Sequence, residues 1–373
     1  MTRVLYVVNN LGVGGAEHVL LGLASGLDRS MYDPTVVSVG PNLALAPKFV
    51  AAGVPVICLN TKVKADPRGY VRLVRLVREL APDILHGFLW RSNMFCRYAG
   101  RRCRVPTVVT SEHSMRVDGP IREWINRRTA AGSSAVVCVS RAVLRHMRDS
   151  VGIPERLLRV IYNGVDLSRF APCADKRSAR DSLGLPPDGP VIGTVARHTE
   201  EKRIDRFVEM ARLIGKVLPE ASFITAGEGP KLAWLTDLAR RRDAKVRFLG
   251  YRDDVPLVLG ALDVFVLTSQ TEGLPMAVIE AMAVELPIVS MLVGGVAEMV
   301  RNGQDGVLVK QGDIRAVADG VLDLLQSRET RARMGRSARR RVMSLVSLDA
   351  VVAKHERLYE ELLGARVDAC PSE

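Results

Sequence analysis

Four charged residues in the second half of the chain have the types and spacing of a ligand site. The segment from Gln270 to Met282 carries Glu272, then Gly273, Leu274 and Pro275, then an apolar run broken by Glu280. Pro275 suits the first turn of a helix, where a missing N–H has no partner to lose. Glu272 then falls in the loop before that helix and Glu280 one to two turns into it. Ionised carboxylates only accept hydrogen bonds, so the pair suits the hydroxyls of a sugar and a ribose. The N–H groups from Gly273 to Met276 open the helix and are placed for phosphate oxygens. Glu280 lies among Ala277, Val278, Ile279, Ala281, Met282 and Ala283. It needs a partner there, because burying a lone carboxylate is costly. The alternative use of both glutamates is capping, or pairing with a neighbouring arginine.

Upstream, Arg197 ends a β-branched run and Lys202 enters the next helix. Open α/β sheets bind ligands at the carboxyl ends of their strands. Two cations there suit a diphosphate, Arg as a fork and Lys as a point charge; alone, they could equally be solvated surface charges. Near the amino terminus a strand runs into Gly12, Val13, Gly14, Gly15, Ala16 and Glu17. Glycines let backbone N–H groups approach an anion at a helix start, and they also make a tight strand-to-helix turn. The spacing is not G-x-G-x-x-G, and no acidic residue ends the second strand to hold a ribose. A dinucleotide dehydrogenase is therefore disfavoured.

Of the six histidines, none stands in H-E-x-x-H spacing, and no D-x-D occurs. No metal ligand set is expected, and no cofactor; cations and helix dipoles would stabilise a leaving diphosphate. The six cysteines form no C-x-x-C pair, and Cys58 and Cys138 lie in apolar runs, as reduced core cysteines do. Aromatic residues are only 5% of the chain, which argues against a base-stacking nucleic-acid surface. Residues 1–168 hold 23 Lys and Arg against 12 Asp and Glu, whereas the remainder holds 30 against 29. The first half thus faces a phosphate, a nucleic acid or an anionic membrane, and no recognition motif accompanies the charge to favour nucleic acid.

These residues need rigid elements to hold them. Short β-branched runs alternate with longer amphipathic stretches: Val4–Val8, Thr35–Val39, Val56–Leu59, Ile84–His86, Thr107–Thr110, Ala135–Val139 and Arg159–Ile161 read as buried strands. Between Asn163 and Pro190 the pattern gives way to turn and linker residues. It then restarts with Val191–Val195, Ser222–Ala226, Val246–Leu249, Val264–Thr268, Ile288–Ser290 and Val307–Val309, and closes on helical segments. Right-handed crossovers make parallel sheets of both halves. The expected domains are residues 1–168 and 169–349, with a helix near 350–365 packing back on the first.

Taken together, the motifs resemble those of the large retaining glycosyltransferase family 4. Glu272-x7-Glu280, with Gly-Leu-Pro between, is similar to that family's signature. Gly12 to Glu17 resembles its amino-terminal glycine loop, and Glu112-His113 its active-site histidine. Asn163-Gly164-Val165-Asp166, Gly227-Glu228-Gly229, Gly294 to Glu298 and Asn302-Gly303-x-x-Gly306 resemble its later turns. The resemblance implies the GT-B fold, an α/β architecture of two Rossmann-like domains with parallel sheets facing across a cleft. It implies a metal-independent hexosyltransferase that moves sugar from a nucleotide sugar to a saccharide or lipid-linked saccharide in polysaccharide biosynthesis. UDP-sugars come first by family habit and GDP-mannose second. By the same resemblance, Arg197 and Lys202 hold the diphosphate, Glu280 the ribose and Glu272 hydroxyls of the transferred sugar. Gly273 and Leu274 border the donor, and Tyr251 borders the base. Gly14 and Gly15 admit phosphate or acceptor, and His113 lies near the anomeric carbon. A nucleotide-sugar 2-epimerase of GT-B architecture is the alternative.

Residues Met1 to Asn10 have no long apolar core or cleavage site, and no stretch of about 18 apolar residues occurs. The expected location is the cytoplasm, with peripheral attachment to the inner leaflet through arginines near Trp124: Arg122, Arg127 and Arg128.

Overall fold

The computed structural model describes residues 1–61, 67–115 and 119–367. It divides into two compact units, Met1–Gly164 with the segment from Leu348 onward, and Val165–Ser347.

The first unit is built on seven parallel strands among the described residues: β1 (Thr2–Val8), β2 (Tyr32–Ser38), β3 (Val56–Cys58), β4 (Ile84–Phe88), β5 (Thr107–Glu112), β6 (Ala135–Cys138) and β7 (Leu158–Val160). They lie in the order β3-β2-β1-β4-β5-β6-β7. The helices are α1 (Gly15–Gly26), α2 (Ala46–Ala51), α3 (Pro67–Leu80), α4 (Trp90–Cys103), α5 (Pro120–Thr129), α6 (Arg141–Arg145) and, after the second unit, the last helix (Leu348–Val367). Right-handed crossovers put α1 and α2 on one face and α3 to α6 on the other. The last helix packs on α1, where Gly22 and Gly26 make room for Leu348 and Val352. On the opposite face Leu5, Val7 and Leu85 meet Leu73, Val74 and Val77 of α3 and Cys96 and Ala99 of α4. That burial orients α3, and its arginines lie on the other side.

The second unit has six parallel strands among the described residues: β8 (Val191–Val195), β9 (Ser222–Ala226), β10 (Val246–Phe248), β11 (Val264–Leu267), β12 (Ile288–Met291) and β13 (Gly306–Val309). Their order is β10-β9-β8-β11-β12-β13. The helices are α7 (Lys176–Ser182), α8 (Ile204–Gly215), α9 (Leu232–Arg241), α10 (Val255–Gly260), α11 (Met276–Ala283), α12 (Val296–Met299), α13 (Ile314–Gln326) and α14 (Arg328–Val346), which makes the last helix α15.

Three readings of the sequence change. The stretch expected to be only turn and linker contains α7. Asp175 caps it by accepting from Ser178 N, and its Arg180 is buried against Asp263 at 2.6 Å. Strand β5 runs past Thr110 to Glu112, and β4 past His86 to Phe88. Arg97, one of the arginines behind the excess positive charge of residues 1–168, is inside. Its side chain is 1% exposed, lies 3.8 Å from Glu112, and donates to Ser133 Oγ, Thr110 Oγ1 and Asn126. Burial pushes the Glu112 carboxyl up, while Arg97, Asn93 and Asn126 hold it down.

A buried pair that loses one partner leaves an uncompensated charge. Arg97→Met should therefore lower unfolding free energy in urea by about 3–5 kcal/mol. Arg97→Met with Glu112→Gln should recover much of it. Equal stability of the single variant and the native protein would refute the pairing.

Candidate functional site

Each sheet has a point where the chain leaves neighbouring strands in opposite directions, and its strand ends open there: β1 and β4 in the first unit, β8 and β11 in the second. Gly14 and Gly15 lie at the first opening and Arg197, Lys202 and Glu272 at the second, whereas His113 follows β5, Tyr251 follows β10 and Glu280 lies within the helix after β11.

In the second unit the loop after β8 carries Arg197 and Lys202, and the loop after β11 carries Glu272. Lys202 Nζ donates to both carboxylate oxygens of Glu272, at 2.7 and 2.9 Å. The proposed cation and the proposed sugar-binding carboxylate are thus partners. Two further bonds tie the loops together, Gln270 N to Glu201 O at 2.8 Å and Thr268 Oγ1 to Arg203 O at 3.0 Å. Gly294 supports Glu272 from the far side. Its φ is +49°, and a Cβ there would stand 1.9 Å from Glu272 O, so only glycine fits. Arg197 remains 63% exposed, 3.7 Å from Glu201. Behind it His198 is fully buried, with Nε2 3.0 Å from Thr225 Oγ1.

Pro275 stands just before α11 rather than inside its first turn, with Met276 the first helical residue. Glu280 faces partly outward from this helix, and among the described residues no side chain hydrogen-bonds its carboxylate. Burial raises its pKa to about 7, with Arg169 opposing. Arg169 is a residue the sequence reading missed. Its signal was the Asp166-Leu167-Ser168-Arg169 turn, in which Asp166 Oδ1 accepts from Ser168 N and Arg169 N. Tyr251 is exposed after Gly250, its OH 3.4 Å from Asp253 Oδ1. Gly273 and Leu274 are buried beside Glu272, and Gly273 O accepts from Gly295 N.

In the first unit Gly14 and Gly15 open α1 after β1. The Glu17 carboxylate folds back so closely that a Cβ on Gly14 would stand 2.3 Å from its Oε2. A carboxylate at this helix start already answers the positive dipole. It opposes a phosphate and suits hydroxyl groups. Leu89, between β4 and α4, has φ +70° and ψ 155°. That conformation is strained for any residue but glycine, and such strain gathers at functional sites.

His113 follows β5. Its Nε2 is shielded from water and has no hydrogen-bond partner among the described residues. Burial, then the nearby His355, lowers its pKa to about 4, so the ring is neutral at pH 7. It can exchange a hydrogen bond with a ligand without carrying charge. No cluster of His, Cys, Asp and Glu suited to a metal occurs among the described residues.

The raised pKa of Glu280 gives a signed expectation. Its folded-state value exceeds the unfolded one, so its contribution to stability is whole below pH 4.5 and is lost as pH rises through about 7. Glu280→Gln should melt several degrees above the native protein at about pH 8 and nearly with it at about pH 4.5. A melting difference independent of pH would count against this environment.

Comparisons with known proteins bear on what the arrangement serves. The model described as Glycosyltransferase Family 4 matches residues 13–169, and that described as Glycosyl transferases group 1 matches residues 175–341. The UDP-Gal:alpha-D-GlcNAc-diphosphoundecaprenol alpha-1,3-galactosyltransferase of Escherichia coli is 26% identical over 325 residues, 83% of each chain. The D-inositol 3-phosphate glycosyltransferase of Mycobacterium bovis is 29% identical over 357 residues, covering 88% of this chain and 73% of that one. Anabaena HepE in complex with UDP-glucose superposes with a TM-score of 0.84 at 20% identity, over 98% of this chain and 100% of that one. That likeness establishes the GT-B fold. With one model on each half and relatives matched over most of their length, the chain belongs to glycosyltransferase family 4.

Proposed function

We propose that this glycosyltransferase takes a sugar from a UDP-linked donor and gives it, with retained anomeric configuration and without a metal, to a saccharide or lipid-linked saccharide. The observation that carries this reading is the Lys202–Glu272 pair at the β8–β11 opening, with Arg197 exposed beside it. The names of similar proteins agree: HepE was crystallised with UDP-glucose, and the Escherichia coli relative is a UDP-Gal enzyme acting on a diphosphoundecaprenol-linked sugar.

In this reading the diphosphate draws Lys202 and Arg197, and the freed Glu272 carboxylate accepts from hydroxyls of the transferred sugar. Glu280, ionised above pH 7, accepts from the ribose. The acceptor hydroxyl oxygen bonds to the anomeric carbon as the bond to the β-phosphate oxygen breaks. That oxygen keeps the electron pair and takes the hydroxyl proton. Arg197 and Lys202 stabilise the charge growing on the leaving group. His113 contributes a neutral imidazole that accepts from, or donates to, the sugar.

Membrane attachment belongs to the same reading. No helix of the described residues is long and apolar enough to cross a membrane. On α5, Ile121 and Trp124 are 74% and 59% exposed. Arg128 stacks on Trp124 at 5.5 Å, and Arg122 on Trp90 at 4.8 Å. Such a surface suits the interface of an anionic cytoplasmic leaflet, where each arginine near the surface contributes about 1 kcal/mol.

Lys202→Ala or Arg197→Ala should lower UDP release from a UDP-sugar at least ~100-fold, and native turnover should survive EDTA. A folded Lys202→Ala protein with full turnover would remove the diphosphate assignment, and recovery only on adding Mg²⁺ or Mn²⁺ would remove metal independence. Separately, the protein should sediment with anionic vesicles at low salt and leave them at high salt, and charge reversal at Arg122, Arg127 and Arg128 should weaken this. Equal sedimentation with neutral vesicles would point to a soluble acceptor.

A further inference from the structure

Behind His113 the first unit carries a buried polar assembly that the reading above does not use. Tyr6 of β1, His86 of β4, Ser111 of β5 and Tyr359 of α15 are all at most 2% exposed. His86 Nδ1 lies 2.7 Å from Tyr359 OH and its Nε2 2.8 Å from Ser111 Oγ. Tyr359 OH lies 3.1 Å from Tyr6 OH. Burial, then His355 and His113, keeps His86 well below its ordinary pKa. A neutral imidazole donates from one nitrogen and accepts at the other, and a hydroxyl answers each. A fully partnered network in a dry interior is rigid.

Phe88 lies two residues along β4, on the same face of the sheet. Its ring packs on His86 at 4.7 Å and 37°, and on His113 at 5.3 Å and 32°. His113 thus rests on a ring that rests on a second ring held at both nitrogens. With no hydrogen bond at Nε2, the plane of His113 is set by packing, and the packing is anchored by Tyr359.

We infer that Tyr359, acting through His86 and Phe88, is a positioning residue for His113, so that α15 takes part in sugar transfer from within the core of the first unit. This rests on the reading of His113 as a residue of the transfer site. Removing the Tyr359 hydroxyl leaves His86 Nδ1 and Tyr6 OH short of a partner, and the stack loses its anchor. Small displacements of a reacting group are expensive in rate.

The test is Tyr359→Phe, alone and combined with His113→Ala, followed as UDP released from UDP-glucose or UDP-galactose. Tyr359→Phe should lower kcat about tenfold, leave donor KM and the UDP thermal shift unchanged, and move the ¹⁵N imidazole signals of His113. Added to His113→Ala it should lower turnover no further, because both changes act through one side chain. Unmoved His113 signals, or a loss that multiplies with that of His113→Ala, would overturn the inference while sparing the role of His113. Full turnover in His113→Ala would overturn that role and the inference with it. Should Tyr359→Phe not fold, Ser111→Ala removes the hydroxyl at the other nitrogen of His86 and carries the same expectations.

Discussion

Lys202 and Glu272 are joined across the opening between β8 and β11, and the second unit's candidate site is organised around that ion pair. Glu272 is 8% exposed and the Lys202 side chain 21%. Neither can lose its partner cheaply in such a place. The backbone holds the pair from several sides: through the Gln270–Glu201 and Thr268–Arg203 bonds, and through Gly294 where no side chain fits. The pair also sets a condition on ligands in the proposed reading. An anion that takes Lys202 leaves the buried Glu272 without a cation, unless hydroxyl donors arrive with it. A nucleotide sugar brings both, whereas a free diphosphate brings only the first. In the proposed reading the pair thereby favours an intact nucleotide sugar over a free diphosphate.

The first unit solves a different problem, that of placing polar groups where water does not reach. Arg97 and Glu112 form a buried pair tied to Asn93, Asn126, Thr110 and Ser133. His86, His113 and His355 have pKa values lowered by burial. Groups buried neutral give stability above pH 6.5 that is lost as pH falls through their folded values, about 4 for His113 and His355. The two faces of this sheet also differ in charge. Arg72, Arg75, Arg78, Arg101, Arg102, Arg127 and Arg128 lie on α3, α4 and α5, while on the other face α1 carries Glu17 and no arginine or lysine, and the cations of α2 and α15 are offset by Asp349, Glu356, Glu360 and Glu361. The excess positive charge visible in the sequence is therefore concentrated on one face, the face that bears Trp124.

Much of this was legible in the residue order, for a definable reason. Parallel strands buried on both faces must be apolar and β-branched, so β8 and β9 were read at their true ends and most others within two residues. The candidate residues followed from the same periodicity, because a charged residue just after such a run has to lie at the carboxyl edge of a sheet. Arg197, Lys202 and Glu272 all do, whereas His113, an uncharged ring, was marked by the family resemblance alone.

What local order could not supply was pairing over long separations. Lys202 and Glu272 are 70 residues apart, and nothing near either one announces that they neutralise each other. Arg97 sits at a helical spacing that looks solvated, and only the folding of β5 and α5 around it makes it a core residue. Arg180 turned a linker into α7 because Asp263, 83 residues on, was there to receive it. Tyr359 meets His86 across 273 residues, after the chain has completed the whole second unit and returned. Sequence by itself determined the strands, the helices and the residues at their edges, since those obey short-range burial and turn chemistry. Tertiary structure decided which charges cancel and which rings stack, because those energies depend on distances that only the closed fold creates.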